Sequence, residues 1–150
     1  MSIYTLGERF TREVTFGREM ARSLATALGD TNPLHHDDAF AEASRFGGPI
    51  VSGAVYGALL MSLMAQSLAG RADGVGLDFS VKFVKAVPEG AVARLEWEVV
   101  AITPKPGIGG EIVEMDGRLV LLGGREEVVA TTARGRSLVM PRGAMVAARE

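Results

Sequence analysis

With 150 residues the chain is the size of one domain, and it is long enough to bury a core without disulfides or a structural metal. It has no cysteine, which excludes a disulfide framework, a Cys-based zinc site and a thiol nucleophile. A formal net charge of −2 leaves no basic field for nucleic acid.

The first ten residues, Met1 to Phe10, lack the cationic start and apolar run of a signal peptide, so a soluble, cytoplasmic protein is expected. Residues 8 to 16 alternate loosely and carry Phe, Val and Thr, which predicts a first strand. Gly17 breaks it. From Arg18 to Leu28 the spacing of Met20, Leu24 and Leu28 predicts a short helix that turns these three side chains to one face. Gly29 stands where a left-handed C-terminal cap is expected. The turn from Asp30 to His35 follows, and Pro33 forces Asn32 out of helical geometry.

Asp37 and Asp38 are candidate N-caps for a helix through Ala39–Arg45, with Phe40 and Ala43 facing inward. Gly47-Gly48-Pro49 stops it. Ser52 then caps a longer helix from Gly53 to about Leu68 that is apolar all round and so must be surrounded by protein. Ile50 to Ala69 approaches the length of a membrane span and holds the Gly53-x-x-x-Gly57 spacing. Ser52, Ser62, Gln66 and Ser67 within it, and Arg71 as the one nearby cation, favour a buried core helix, not a span.

The second half reads as sheet. Leu77, Phe79, Val81 and Phe83 alternate with Asp78, Ser80 and Lys82 in the clearest strand of the chain. Pro88-Glu-Gly90 turns it, Ala91–Thr103 alternates again, and Pro104–Gly110 is a flexible connection. Glu111–Leu122 and Glu126–Met140 are two more strands around Gly123-Gly124-Arg125, and Pro141–Glu150 is expected to be a frayed tail. Four strands in succession form a meander that is mostly antiparallel. A single domain over residues 1–150 results, of the α+β class, in which an antiparallel sheet curls around one apolar helix. That is the arrangement of the hotdog fold. Its uncovered sheet edge and helix point to a homodimer or higher homo-oligomer.

The chemistry concentrates in two places. Asp30 and His35 form a possible acid–base pair, held in position by Gly29 and Pro33. Gly48-Pro49-Ile-Val-Ser52-Gly53 leads into the long helix, whose first N–H groups lack partners and sit at the positive end of its dipole. The Gly53 N–H is thus placed to receive an enolate or thioester oxygen. A polar surface turn and a packing glycine are the plain alternatives. His35-His36-Asp37-Asp38 has no third ligand cluster to make a metal site, and His36 reads as solvent-facing. Gly107-Ile-Gly-Gly110 completes no dinucleotide fingerprint.

Taken together, Gly29-Asp-Thr-Asn-Pro-Leu-His35, Asp37, Phe46-Gly47 and Pro49-Ile-Val-Ser-Gly53 resemble the MaoC-like dehydratases, including the R-specific enoyl-CoA hydratases. Leu77-Asp-Phe-Ser-Val-Lys-Phe83 and Val87-Pro88-x-Gly90 extend the resemblance into the sheet. It implies a hotdog fold, usually dimeric, that acts on an acyl-CoA or acyl-carrier-protein thioester without a metal or redox cofactor. It implies further that Asp30 and His35 activate one water and that His35 shuttles a proton during syn addition to a trans-2-enoyl thioester. Asn32 would support the turn or contact the water, and Ser52-Gly53 would present the backbone N–H for the thioester carbonyl. Two positions depart from the pattern: Ser52 stands where the family commonly has His, and Ala91 where it has Asp. Tyr56, Met61 and Met64 are candidates to shorten an acyl pocket.

Two other functions fit the same fold. A hotdog thioesterase would commonly place a carboxylate on the central helix, and Gly53–Leu68 contains none. A non-catalytic acyl-thioester-binding subunit would not need Asp30, Asn32 and His35 together. Lys82, Lys85 and Arg45 are read as a solvated face.

Overall fold

The computed structural model describes residues 1–146. Its elements in chain order are β1 (Arg9–Thr15), α1 (Arg18–Ala27), a 3-10 turn at Pro33–His35, α2 (Asp38–Ala43), α3 (Gly53–Leu68), β2 (Ala72–Phe83), β3 (Val92–Lys105), a second 3-10 turn at Pro106–Ile108, β4 (Gly110–Leu121) and β5 (Val128–Pro141). All five strands form one antiparallel sheet in the order β1-β3-β4-β5-β2. The curved sheet with α3 against it is the hotdog arrangement of the α+β class.

The expected meander is only partly realised. β3, β4 and β5 follow one another, but β2 lies at the far edge beside β5, with Phe79 opposite Gly135. The chain between β2 and β3 is pinned on its way by Val51 N–H to the Val87 carbonyl and Glu89 N–H to the Pro49 carbonyl, 2.8 and 3.0 Å. Strand periodicity reports which residues alternate, not which strands pair, so this crossing had no local signature.

The inner face of the sheet is built from the rows Leu95, Trp97 and Val99 of β3 and Val113, Met115 and Leu119 of β4, all buried. Two glycines make room for side chains on this face, Trp97 of the sheet and Met64 of α3. A Cβ at Gly117 would meet the Trp97 indole at 2.6 Å, and one at Gly135 would meet Met64 Sδ at 2.6 Å. The Trp97 Nε1–H donates to the Leu60 carbonyl of α3 at 2.8 Å, which ties the helix to the sheet. Met64 is therefore part of this core, whereas Met61 is exposed.

Four other expectations change. α1 fully buries Ala21 and Ala25, with Met20 and Leu24 half-buried beside them, whereas Leu28, at the end of the helix, is 52% exposed. α2 runs from Asp38 to Ala43 with Asp37 as its N-cap, and it buries Ala41 in place of Phe40 and Ala43. α3 is not enclosed all round: Ala54, Ala58, Met61 and Ala65 are left facing out in one chain. Pro104–Gly110 is not a loose connection, since β3 continues to Lys105 and a 3-10 turn carries the chain into β4.

Pro141, expected in a frayed tail, instead closes β5 opposite Ala72. The Met145 N–H donates to the Asp73 carboxylate at 3.0 Å, and Arg142 reaches the Gly70 carbonyl at 3.1 Å. Residues 147–150 lie outside the described ones. Among the described residues, no helix is long and apolar enough to cross a membrane.

Candidate active site

The site begins at the end of α1. Gly29 takes φ +82°, the left-handed region that only glycine enters without strain, and turns the chain out of the helix. The Asp30 N–H still reaches back to the Ala25 carbonyl at 2.9 Å, so Asp30 starts the turn from a fixed point. Asn32, extended ahead of Pro33, caps the 3-10 turn through its Oδ1, which accepts from the Leu34 N–H at 3.0 Å. That bond engages the side-chain oxygen of Asn32, so the position serves the shape of the turn.

The turn delivers His35 to a buried position. Its Nδ1 lies 2.7 Å from the Ile50 carbonyl. A carbonyl only accepts, so Nδ1 carries the proton of the neutral ring and Nε2 is left with its lone pair. Nε2 faces Asp30 Oδ2 at 3.3 Å. In this tautomer both atoms are acceptors.

Asp30 is held as firmly as His35. Its Oδ1 accepts the Asn32 N–H at 3.2 Å, and its Oδ2 accepts the hydroxyl of Ser52 at 2.5 Å. The Ser52 oxygen in turn accepts the Ala54 N–H at 3.2 Å, which makes it the N-cap of α3. A continuous path of donors thus runs from the first turn of α3 into the carboxylate, at the helix end where negative charge is favoured. The Ser52 hydrogen bond is the main reason the Asp30 carboxyl lies below the ordinary carboxylate range; partial burial opposes it, and the Asn32 N–H and the two histidines add to it.

A group with a lowered pKa in the folded state stabilises the fold above its unfolded pKa, and that contribution is lost as pH falls through the folded value. The stability difference between wild type and Asp30→Asn, followed by urea unfolding, is therefore expected to narrow below about pH 4. A difference that stays constant on acidification would contradict the ionic contacts assigned to Asp30.

Two neighbours complete the site. Gly53 follows Ser52 at the start of α3, and among the described residues its N–H has no acceptor. Its missing side chain matters as well, because a Cβ there would lie 2.8 Å from Phe83 Cζ. Phe83 is 57% exposed and packs edge-on to Tyr56, with ring centroids 5.6 Å apart, so both rings border the Gly53 end of the site.

Asp30, His35, Ser52 and Gly53 are thus brought together. Two features were missed in the sequence. His36 is not solvent-facing: its Nε2 donates to the Asp30 carbonyl at 2.7 Å and braces the turn from its far side. Ser52, expected only as cap and backbone donor, also bonds the Asp30 carboxylate. A serine before a helical glycine signals the cap, but nothing local signals a partner 22 positions away.

The wider relationships of the chain agree with this geometry. The model of the MaoC-like domain family matches residues 5–115. An (R)-specific enoyl-CoA hydratase from Aeromonas caviae is 33% identical over 97 residues, covering 65% of this chain and 72% of that protein. Among solved structures, the (R)-hydratase from A. caviae superposes with a TM-score of 0.78 and 28% identity, over 89% of this chain and 96% of the other. A MaoC-like dehydratase from Rhodospirillum rubrum shares the fold with a TM-score of 0.77 at 23% identity, over 93% and 94% of the two chains. With the family model matching residues 5–115, the chain belongs to the MaoC-like domain family.

Proposed function

We propose that this chain is a hydro-lyase that adds water to the double bond of a trans-2-enoyl thioester to give a 3-hydroxyacyl thioester, or runs the reverse dehydration. The observation that carries the reading is the pair of acceptors His35 Nε2 and Asp30 Oδ2, 3.3 Å apart, together with the Gly53 N–H, which has no acceptor among the described residues. A water held by the pair attacks C3, and its oxygen forms the new C–O bond while one proton passes to the dyad. The π electrons move onto the thioester oxygen, where the Gly53 N–H stabilises the enolate. The dyad then returns the proton to C2 on the same face, and the enolate collapses to the product thioester. No atom beyond enoyl thioester and water is consumed. Membership of the family, and a relative named as an (R)-specific enoyl-CoA hydratase, support the reaction class and an R-configured product.

The substrate is carried as a coenzyme A or acyl-carrier-protein thioester of fatty acid metabolism, and the cysteine-free chain suits the reducing cytoplasm. The active form is a homodimer, since the outward apolar residues of α3 and the exposed Val75 and Leu77 of edge strand β2 make a surface a second copy would cover. Light scattering is expected to give twice the mass of one chain; a monomer at micromolar concentration would remove this part of the reading.

The reaction itself is tested by incubating the pure protein with short trans-2-enoyl-CoA substrates while following both the conjugated enoyl absorbance and free thiol. Loss of absorbance without thiol release is expected. Thiol release would instead establish a thioester hydrolase, and no change in either signal across chain lengths would leave only an acyl-thioester-binding subunit.

A further inference from the structure

We propose that Arg22, on α1 and outside the reacting groups, is a positioning residue that sets the orientation of His35. This inference rests on the assignment of His35 as the proton-transfer group. The Arg22 guanidinium uses all three of its nitrogens. Nη1 donates to the carbonyl of His36 at 2.9 Å, Nη2 to Asp38 Oδ1 at 2.5 Å, and Nε to Glu89 Oε2 at 2.9 Å, with a longer contact from Nη2 to Glu89 Oε1 at 3.3 Å.

These partners lie on either side of His35. The His36 carbonyl is the backbone directly after it, and Asp38 opens α2 two residues later. Glu89 acts from the other side: its N–H donates to the Pro49 carbonyl at 3.0 Å, and Pro49 precedes Ile50, whose carbonyl takes the His35 Nδ1–H. One side chain therefore clamps both the loop that carries the imidazole and the segment that fixes its tautomer. The Glu89 side chain is only 9% exposed and that of Arg22 only 21%, so this pair is less screened than a surface pair, whereas Asp38 is 43% exposed. Lysine cannot replace the arrangement, because a single ammonium has no fixed fork with which to hold a carbonyl and two carboxylates in one plane.

Arg18 is a built-in control. It bonds the same two carboxylates, Asp38 and Glu89, at 2.8 Å each, but it touches no backbone of the His35 loop, and its side chain is 59% exposed. If the network served only to stabilise the fold, loss of either arginine would act alike.

The test is enoyl-CoA hydration by purified Arg22→Met, Arg22→Lys and Arg18→Met, with kcat and KM separated and thermal melting recorded for each. Arg22→Met is expected to lower kcat about tenfold to a hundredfold with KM within about twofold, as misplacement of a catalytic group does. Arg22→Lys is expected to recover little of that loss, and Arg18→Met to keep kcat within about twofold. Equal kcat in the two methionine variants would overturn the proposal, as would a loss of kcat that only tracks the fraction unfolded. Should Arg22→Met not fold, Glu89→Gln replaces it: it keeps the shape and removes one anionic partner, and an unchanged kcat there would equally overturn the proposal. Activity that survives Arg22→Met but not His35→Ala would remove the positioning role alone. Activity that survives His35→Ala would remove the site assignment beneath it.

Discussion

Asp30→Asn and His35→Ala are each expected to lower kcat for enoyl-thioester hydration at least about a hundredfold, the range that positioned acid–base groups contribute. The two substitutions remove different halves of one device. Asparagine has the shape of aspartate, and its oxygen can still accept from the Asn32 N–H or Ser52, so the turn should persist. What it lacks is the charge and the basicity needed to take up a proton. His35→Ala removes the proposed proton carrier and also strands the Ile50 carbonyl, a half-buried acceptor whose lost partner costs about 1–3 kcal/mol in stability. His35→Asn is the companion variant, because an amide N–H can still donate toward that carbonyl while transferring no proton. All three variants are expected to be folded and nearly inactive by steady-state assay at matched concentrations of folded protein. Near wild-type turnover in any of them would mean that the water is activated elsewhere.

The second large effect is expected at Gly53, where the packing role and the chemical role can be separated. Any Cβ at position 53 meets the Phe83 ring at 2.8 Å, so a single substitution confounds a clash with a change at the backbone N–H. Pairing each substitution with Phe83→Ala removes the clash. Gly53→Ala/Phe83→Ala then keeps the N–H, and Gly53→Pro/Phe83→Ala deletes it. Proline suits the first position of a helix, and Ser52, at φ −59° and ψ 132°, already has the extended geometry a residue before proline requires. The cap from Ser52 to the Ala54 N–H is untouched in both. The proline pair is expected to fall about 10² to 10³ in kcat below the alanine pair, the loss of one donor to a developing oxyanion. Equal kcat in the two double variants would show that Gly53 is there only to make room for Phe83.

Much of the site was legible because its parts are local. Gly29 as a left-handed cap, Pro33 as the break after Asn32 and Ser52 as an N-cap all follow from backbone preferences that act over a few residues. The inward faces of the helices were read less well. On α1 the spacing of Met20, Leu24 and Leu28 suggested one stripe; Met20 and Leu24 do pack half-buried against the core, but Leu28 is exposed and the fully buried positions are Ala21 and Ala25. Phe40 on α2 misled as well, since Ala41 occupies the buried place. On α3 the all-apolar sequence was read as burial on every side, yet Ala54, Ala58, Met61 and Ala65 are exposed.

The sequence by itself determined the chemical inventory and its local frame: an acid and an imidazole in a rigid turn, a glycine opening an apolar helix, and strands of period two to carry them. These are properties of short stretches, set by φ and ψ preferences and by side-chain spacing. Only the tertiary structure decided that Ser52 bonds Asp30 across 22 positions, that His36 braces the Asp30 carbonyl, and that Arg22 meets Glu89 across 67. It also decided that β2 lies beside β5 and not β3. Each of these depends on how distant segments close upon one another, and hydrogen bonds with a tolerance of a few tenths of an ångström leave no trace in the periodicity of the segments they join.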